Sequence, residues 1–202
     1  MSRRSVDEES GDAELVEACR AGDPDAFGIL VRRHQKAMLN LAYRMVGNYE
    51  EACEVAQDAF VAAHRGLPLF RSEARFSTWL TAITLNQARN RIASLATRRR
   101  AEAFSLDAPI PTARGEVRPD PPSDAPSALD DLESRALRTQ VEGCIQALPV
   151  DFREVLVLRD LQDRSYLEIG SALELREGTV KSRLARAREA VKACLERALG
   201  AP

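Results

Sequence analysis

The sequence predicts an all-α protein of two small helical domains joined by a flexible linker. Three observations carry this. Ala, Leu, Glu and Arg, all good helix formers, dominate the 202 residues, and no useful length alternates apolar and polar as a half-buried strand does. Apolar residues recur at spacings of three and four through most of the chain. Between Ala101 and Ala128 that rhythm stops. Six of the ten prolines fall there, and Glu102 to Asp131 carries seven acids against two arginines, a composition that stays extended. The division that follows is a disordered 1–12, a first helical domain over 13–96, a linker over 97–129 and a second domain over 130–202.

In chain order, residues 1–12 are polar and charged, without the apolar content that drives folding. Ala13 to Arg20 reads as a helix stopped by Gly22-Asp23-Pro24. Asp23 or Asp25 caps the next helix, whose stripe is Phe27, Leu30, Val31, His34, Met38, Leu41, Ala42 and Met45, with Gly47-Asn48 as its stop. Tyr49 to Arg65 is the third helix, with Val55, Ala56, Ala59 and Phe60 inward. Its outer face is acidic: Glu50, Glu51, Glu54 and Asp58, with no Lys or Arg between Gly47 and Ala63. Acids in the first turn suit the helix dipole, but Asp58 lies beyond that turn, and such a one-signed face suits a basic partner.

Gly66 to Ser77 reads as a loop, interrupted by Pro68 and anchored at its ends by Phe70 and Phe76. A helix follows over Thr78 to Ala96, with Trp79, Ile83 and Ile92 toward the core and Asn86, Arg89, Asn90 and Arg91 on its polar surface. Arg89 to Arg100 holds five arginines and no acid. Beyond the linker, Leu129 to Leu148 carries the stripe Leu132, Ala136, Leu137, Val141, Cys144, Ile145 and Leu148, and Pro149 ends it. Phe152, Val155, Leu156 and Leu161 belong to the next helix.

The last stretch, SYLEIGSALELREGTVKSRLARAREAVKACL, is the most informative. Ser165 and Glu168 stand at capping-box spacing, so a helix starts at Ser165. Glu174-Leu175 makes a turn. A longer helix then buries Val180, Leu184, Ala187, Val191 and Leu195, leaving Lys181, Ala185, Arg188 and Lys192 on the far side with Ser182 and Arg186 beside them. From Arg176 to Ala201 there are seven Lys or Arg against three Glu, in a chain of net charge −2. A short helix, a turn and a basic amphipathic helix form the pattern of a helix-turn-helix, whose second helix enters the major groove.

Other chemistry finds little footing. No Gly-rich phosphate loop or nucleophile motif is present, so the chain does not read as an enzyme and no cofactor is expected. Cys19, Cys53, Cys144 and Cys194 lack zinc-ligand spacing, and His34 and His64 add little, so no metal is expected. Each cysteine is expected to fill a small apolar site as a reduced thiol. His34 lies on a packing stripe. The N-terminus, MSRRSVDEESGDAE, lacks the apolar core of a signal peptide. No run of about eighteen apolar residues occurs, so a cytoplasmic protein without membrane insertion is expected.

The stretch GTVKSRLARAR, preceded by SYLEIGSAL and LPVDFREVLVLRDL, resembles region four of bacterial sigma factors of the extracytoplasmic-function type. NYEEACEVAQDAFVAAHRGLPLFRSEARFSTWLTAITLNQARNRI resembles region two of the same family. The resemblance covers about residues 13–96 and 130–195, without the extra domain of larger housekeeping sigma factors. It implies that Glu50, Glu51, Glu54, Asp58 and Phe60 lie in the helix that binds core RNA polymerase. It implies that Phe70, Arg71, Ser72, Glu73, Ala74 and Phe76 form the loop enclosing a flipped base of the opened minus-ten promoter strand, joined by Asn86 and Arg89. By position, Arg176, Thr179, Lys181, Ser182, Ala185 and Arg186 face the duplex minus-thirty-five element. The family's loop often has Gly-Asp where this chain has Ser72-Glu73, which leaves the flipped base open. The resemblance also implies an anti-sigma factor as controlling partner. The expected function is therefore promoter-specific transcription initiation. Two rival readings are a dimeric DNA-binding regulator with an N-terminal sensor domain, which would bind duplex unaided, and a helical adaptor without a DNA role, which leaves the basic faces unexplained.

Overall fold

The computed structural model describes residues 7–71, 74–104 and 128–200. Among them, every regular element is helical. The first helix, α1, spans Asp12–Arg20, and its Gly11 N–H donates to the Glu14 carboxylate at 3.2 Å. Asp23 caps α2 (Pro24–Val46), accepting from the Asp25 N–H at 3.0 Å, and Pro24 stands at the first helical position, where no N–H is missed. Gly47 ends α2 with φ of 75°. Asn48 caps α3 (Tyr49–Gly66) through the Glu51 N–H at 3.0 Å. A 3-10 turn at Leu67–Leu69 follows, then α4 (Phe76–Phe104). In the C-terminal part are α5 (Ala128–Gln146), α6 (Val150–Leu156), a π turn at Val157–Leu161, α7 (Tyr166–Leu173) and α8 (Glu177–Leu199).

Three expectations need correction. Disorder does not extend through residue 12. Asp7 to Ser10 close a turn, and Arg33 on α2 donates to the carbonyls of Glu8 (2.8 Å) and Ser10 (2.7 Å) and to the Asp12 carboxylate (2.6 Å). Residues 1–6 lie outside the described residues. Helix α4 runs eight residues past Ala96, because Thr97 to Phe104 contains neither Gly nor Pro and is rich in helix formers. Cys144 and Cys194 are not separate thiols but a disulfide, with Cα atoms 5.8 Å apart, while Cys19 and Cys53 are free. Their separation of 50 residues hid the pairing, which needs α5 and α8 packed side by side. The tether expected over 97–129 falls mostly on residues 105–127, outside the described residues.

Two apolar clusters hold the helices. One joins α1, α2, the end of α3 and the start of α4 around Leu15, Leu30, Met38, Phe60, Phe70, Phe76 and Leu80. There the His34 ring N–H donates to the Asp12 carboxylate at 2.9 Å and the ring packs against Phe76, the packing role its stripe position suggested. The second cluster spans both halves of the chain. Leu41, Met45, Val55, Leu85 and Ala88 meet Ile145, Val155, Leu158, Ile169, Val180 and Leu184 in one contiguous core. No helix among the described residues is long and apolar enough to cross a membrane.

Candidate nucleic-acid interface

Helices α7 and α8 form the helix-turn-helix. Ser165 caps α7 with a full capping box: its hydroxyl accepts from the Glu168 N–H at 3.2 Å, and its N–H donates to the Glu168 carboxylate at 3.0 Å. Glu174 makes the turn in the left-handed region, with φ of 55°. Ile169 on α7 and Val180, Leu184 and Ala187 on α8 are buried. Close packing is visible at Gly170, where an added Cβ would lie 2.8 Å from the Leu175 carbonyl oxygen. Burying one face fixes the other outward. Arg176, Lys181, Ser182, Ala185 and Arg186 are exposed and Thr179 is half-buried, so the predicted reading residues share the solvent side of the first half of α8. Arg176 itself is the N-cap. Lys181 pairs with Glu177 at 2.6 Å and sits 5.4 Å from the Tyr166 ring centre, and the Ser182 hydroxyl donates to the Thr179 carbonyl. The Glu177 carboxylate raises the Lys181 amine, so the charge is secure. Arg188 is turned away to Asp160, at 2.5 and 2.9 Å.

The loop between α3 and α4 is pinned at both ends by aromatics. Phe70 and Phe76 are buried, and Phe70 stacks on Trp79 with ring centres 4.7 Å apart. Their role here is to shape the loop. Arg71 is exposed and Ala74 is half-buried. Ser72 and Glu73 lie outside the described residues. On α4, Asn86 is exposed and accepts from Arg89 Nη1 at 2.6 Å. Arg89 is occupied more firmly by Glu154 of α6, with Nε–Oε1 at 2.5 Å and Nη2–Oε2 at 2.9 Å. That bidentate bond raises the Arg89 pKa further. The structure therefore brings Asn86 and Arg89 together, and adds a partner that spacing did not reveal.

On α3, Glu50, Glu54 and Asp58 are exposed and Glu51 is half-buried. Arg91 of α4 bonds Glu51 and also Glu54, the latter at 2.6 Å, so part of the acidic face is neutralised from within. Phe60 is 9% exposed and belongs to the core, supporting the helix from beneath rather than offering contact surface. Among the described residues no cluster of His, Cys, Asp and Glu is placed to hold a metal ion.

Residues that sequence reasoning missed sit at the junction of the two halves. Arg153 is buried and donates to the carbonyls of Met45, Gln146 and Leu148 and to Gln146 Oε1. Burial pushes its pKa down. Gln146 Nε2 donates to the Arg44 carbonyl at 2.8 Å, and Arg44 pairs with Glu142 at 2.6 Å. The signal available was the Arg-Glu dipeptide inside the apolar run FREVLVL, where charged groups need partners.

A helix-turn-helix with an exposed basic reading face, docked on a second helical unit with its own polar and basic helix, defines a DNA-binding protein of all-α build. Comparison with known proteins narrows this. The model of sigma-70 region 2 matches residues 30–99 and that of sigma-70 region 4 matches residues 138–191. The RNA polymerase sigma-H factor of Pseudomonas aeruginosa is 38% identical, over 92% of this chain and 94% of that protein. The ECF RNA polymerase sigma-E factor of Escherichia coli is 35% identical, over 92% and 95%. The chain belongs to the ECF group of the sigma-70 family. A structure of CnrH in complex with the cytosolic domain of CnrY superposes with a TM-score of 0.65 at 26% identity, covering 95% of this chain and 99% of that one. The sigma factor RpoE of Bartonella quintana, solved with the anti-sigma factor NepR, shares the fold, with a TM-score of 0.60 at 22% identity over 84% and 96%.

Proposed function

We propose that this chain is a promoter-specificity subunit of bacterial RNA polymerase, working where the polymerase works, in the cytoplasm. The observation that carries this is the outward face of α8, where Arg176, Lys181, Ser182, Ala185 and Arg186 stand together over a buried stripe. Region four reads the minus-thirty-five element as duplex through that face. Arg186 is the group best suited to a bidentate base contact, Lys181 to a phosphate, and Ala185 to a thymine methyl. Region two grips core polymerase through the acidic face of α3, with Glu50, Glu54 and Asp58 outermost. The loop from Phe70 to Phe76 and the Asn86–Arg89 face of α4 take the opened minus-ten strand. Unstacking a base step costs a few kcal/mol, and a pocket that bonds the extruded base edge offsets part of it.

The Pro-rich acidic sequence expected as a linker over 97–129 is the proposed tether. Two weak DNA contacts become one strong contact when polymerase holds both units at the promoter's span. The net charge of −2 fits such dependence, since counterion release gives the free chain little non-specific affinity. An anti-sigma factor is the proposed controlling partner, as in the relative solved with NepR.

The test is Arg186→Ala in the polymerase holoenzyme, scored on a library of genomic promoters. Loss of a bidentate base contact is worth about 1–3 kcal/mol of discrimination, roughly five- to a hundredfold. The drop should be confined to promoters sharing one base at one position. Unchanged promoter choice, or equal weakening on all sequences with a shallower salt dependence, would remove Arg186 as a base reader.

A further inference from the structure

The Cys144–Cys194 bond is unexpected in a protein that works in the cytoplasm, where glutathione and thioredoxin keep thiols reduced. A disulfide in that compartment is usually transient and responds to redox state. This one joins α5 to the far end of the helix whose first half faces DNA.

Helix α8 is a rod of 23 residues with two fastenings. Val180, Leu184 and Ala187 are buried and hold its first half. Beyond Ala187 no residue of α8 is fully buried. There Val191 and Leu195 border a groove of about 440 Å³ shared with Val141 and Ile145 of α5 and Leu156 of α6. Polar bonds do not replace that packing. Arg188 pairs with Asp160 at the surface, where ion pairs contribute little. Lys192 pairs with Glu196, and Arg197 donates to the Ala193 carbonyl, both within α8 itself. The second fastening is Cys194, roughly 10 Å along the axis from Ala187. One anchored patch fixes where a helix sits, and a second, distant one fixes the direction of its axis. That direction sets the angle at which Lys181, Ser182, Ala185 and Arg186 meet a major groove.

We infer that Cys144 and Cys194 form a reversible redox pair that sets the direction of α8, so that minus-thirty-five reading is strong in the oxidised chain and weakened in the reduced one. This rests on the cytoplasmic sigma-factor reading and on the assignment of α8 to the minus-thirty-five duplex. Cys144 is 4% exposed and Cys194 is half-buried, so an incoming thiolate reaches Cys194. A thiolate of a dithiol reductant bonds the Cys194 sulfur, and Cys144 leaves as a thiolate. The second thiol of the reductant then displaces Cys194 and closes the reductant's own disulfide. Two electrons pass to the pair, and the two protons of the dithiol end on Cys144 and Cys194. Exchange with a disulfide oxidant runs the same steps backward. The coupling is reciprocal: promoter DNA that prefers the oxidised form protects the bond from reduction by the same factor.

The full chain is equilibrated in glutathione buffers of stepped thiol-to-disulfide ratio. The bond is followed by alkylation with iodoacetamide and mass spectrometry, and the helix by amide hydrogen exchange. The pair should open within the buffer range, with residues 188–199 losing protection and residues 177–187 keeping it. With core RNA polymerase, run-off from duplex promoters that carry a minus-thirty-five element should fall roughly five- to a hundredfold on reduction. Cys144→Ala/Cys194→Ala should give the lower level in every buffer. Templates pre-opened across the minus-ten region and lacking the minus-thirty-five element should not respond. A bond that stays closed in every buffer, or one that opens with exchange and run-off unchanged, would overturn the switch. So would a redox-dependent loss shared by the double variant, which would place the sensitive thiols in polymerase. An opening bond that loosens residues 188–199, with no promoter-specific run-off in any buffer, would uphold the redox pair and remove the sigma-factor reading instead.

Discussion

Glu168 accepts from the Ser165 N–H and hydroxyl, at 3.0 and 2.8 Å, with Arg164 and Arg75 at 3.7 and 3.9 Å. Those hydrogen bonds, ahead of the charges, hold its carboxyl below the usual carboxylate range. The ionised form is thus favoured by the fold. Its contribution is fully present above the unfolded carboxylate pKa and is lost as pH falls through the depressed folded value. Glu168→Gln should therefore flatten the acid side of the stability profile measured by urea melts, and Ser165→Ala should cost about 1 kcal/mol at neutral pH. A Glu168→Gln profile parallel to wild type down to acid pH would contradict this. Asn86 carries a functional prediction at the same scale. Asn86→Ala removes an amide that both donates and accepts, which costs on the order of 1–3 kcal/mol at a buried base edge. Run-off transcription should fall roughly five- to a hundredfold on duplex promoters, and a template pre-opened across the minus-ten region should recover part of the activity but not base preference. Equal loss on both templates with preference intact would make Asn86 structural. The Ser165–Glu168 box was legible because both partners lie within one turn. Glu154 was not, since its partner lies 65 residues away and a Glu in a helix otherwise reads as surface.

Most helices were legible from periodicity and stops: Gly47, Pro24 and Glu174-Leu175 all act where their backbone chemistry requires. Less legible was what happens where no stop is written. Helix α4 continues to Phe104, and after Leu156 the chain widens into a π turn with no Gly or Pro to announce it. The disulfide belongs to this scale. On α8 the fully buried positions end at Ala187, and beyond it Val191, Cys194 and Leu195 are only half-buried. The bond to Cys144 is what fastens the last turns of α8 to α5. Closing a loop of 50 residues is worth up to about 4 kcal/mol through the unfolded state. Dithiothreitol should lower the urea midpoint of the wild type and leave Cys144→Ala/Cys194→Ala unaffected. Equal midpoints for wild type with and without reductant would show that the bond adds nothing to stability.

At the scale of the whole molecule, the two helical units were legible from the proline-rich interruption and from the two stretches that resemble regions two and four. Their mutual packing was not. The contacts that join them run between distant residues, 65 apart from Arg89 to Glu154 and 108 apart from Met45 to Arg153, and only the Arg153-Glu154 dipeptide stands out in its own helix. On the proposed reading, the two promoter-facing surfaces act in concert when polymerase holds both units at the promoter's span. Promoter selection that depends on polymerase is measured by run-off transcription of genomic fragments with purified core RNA polymerase, with and without the chain. Discrete start sites, preceded by shared minus-thirty-five and minus-ten elements, should appear only when both are present. Duplex binding to those same elements by the chain alone, with core polymerase giving no new starts, would contradict it.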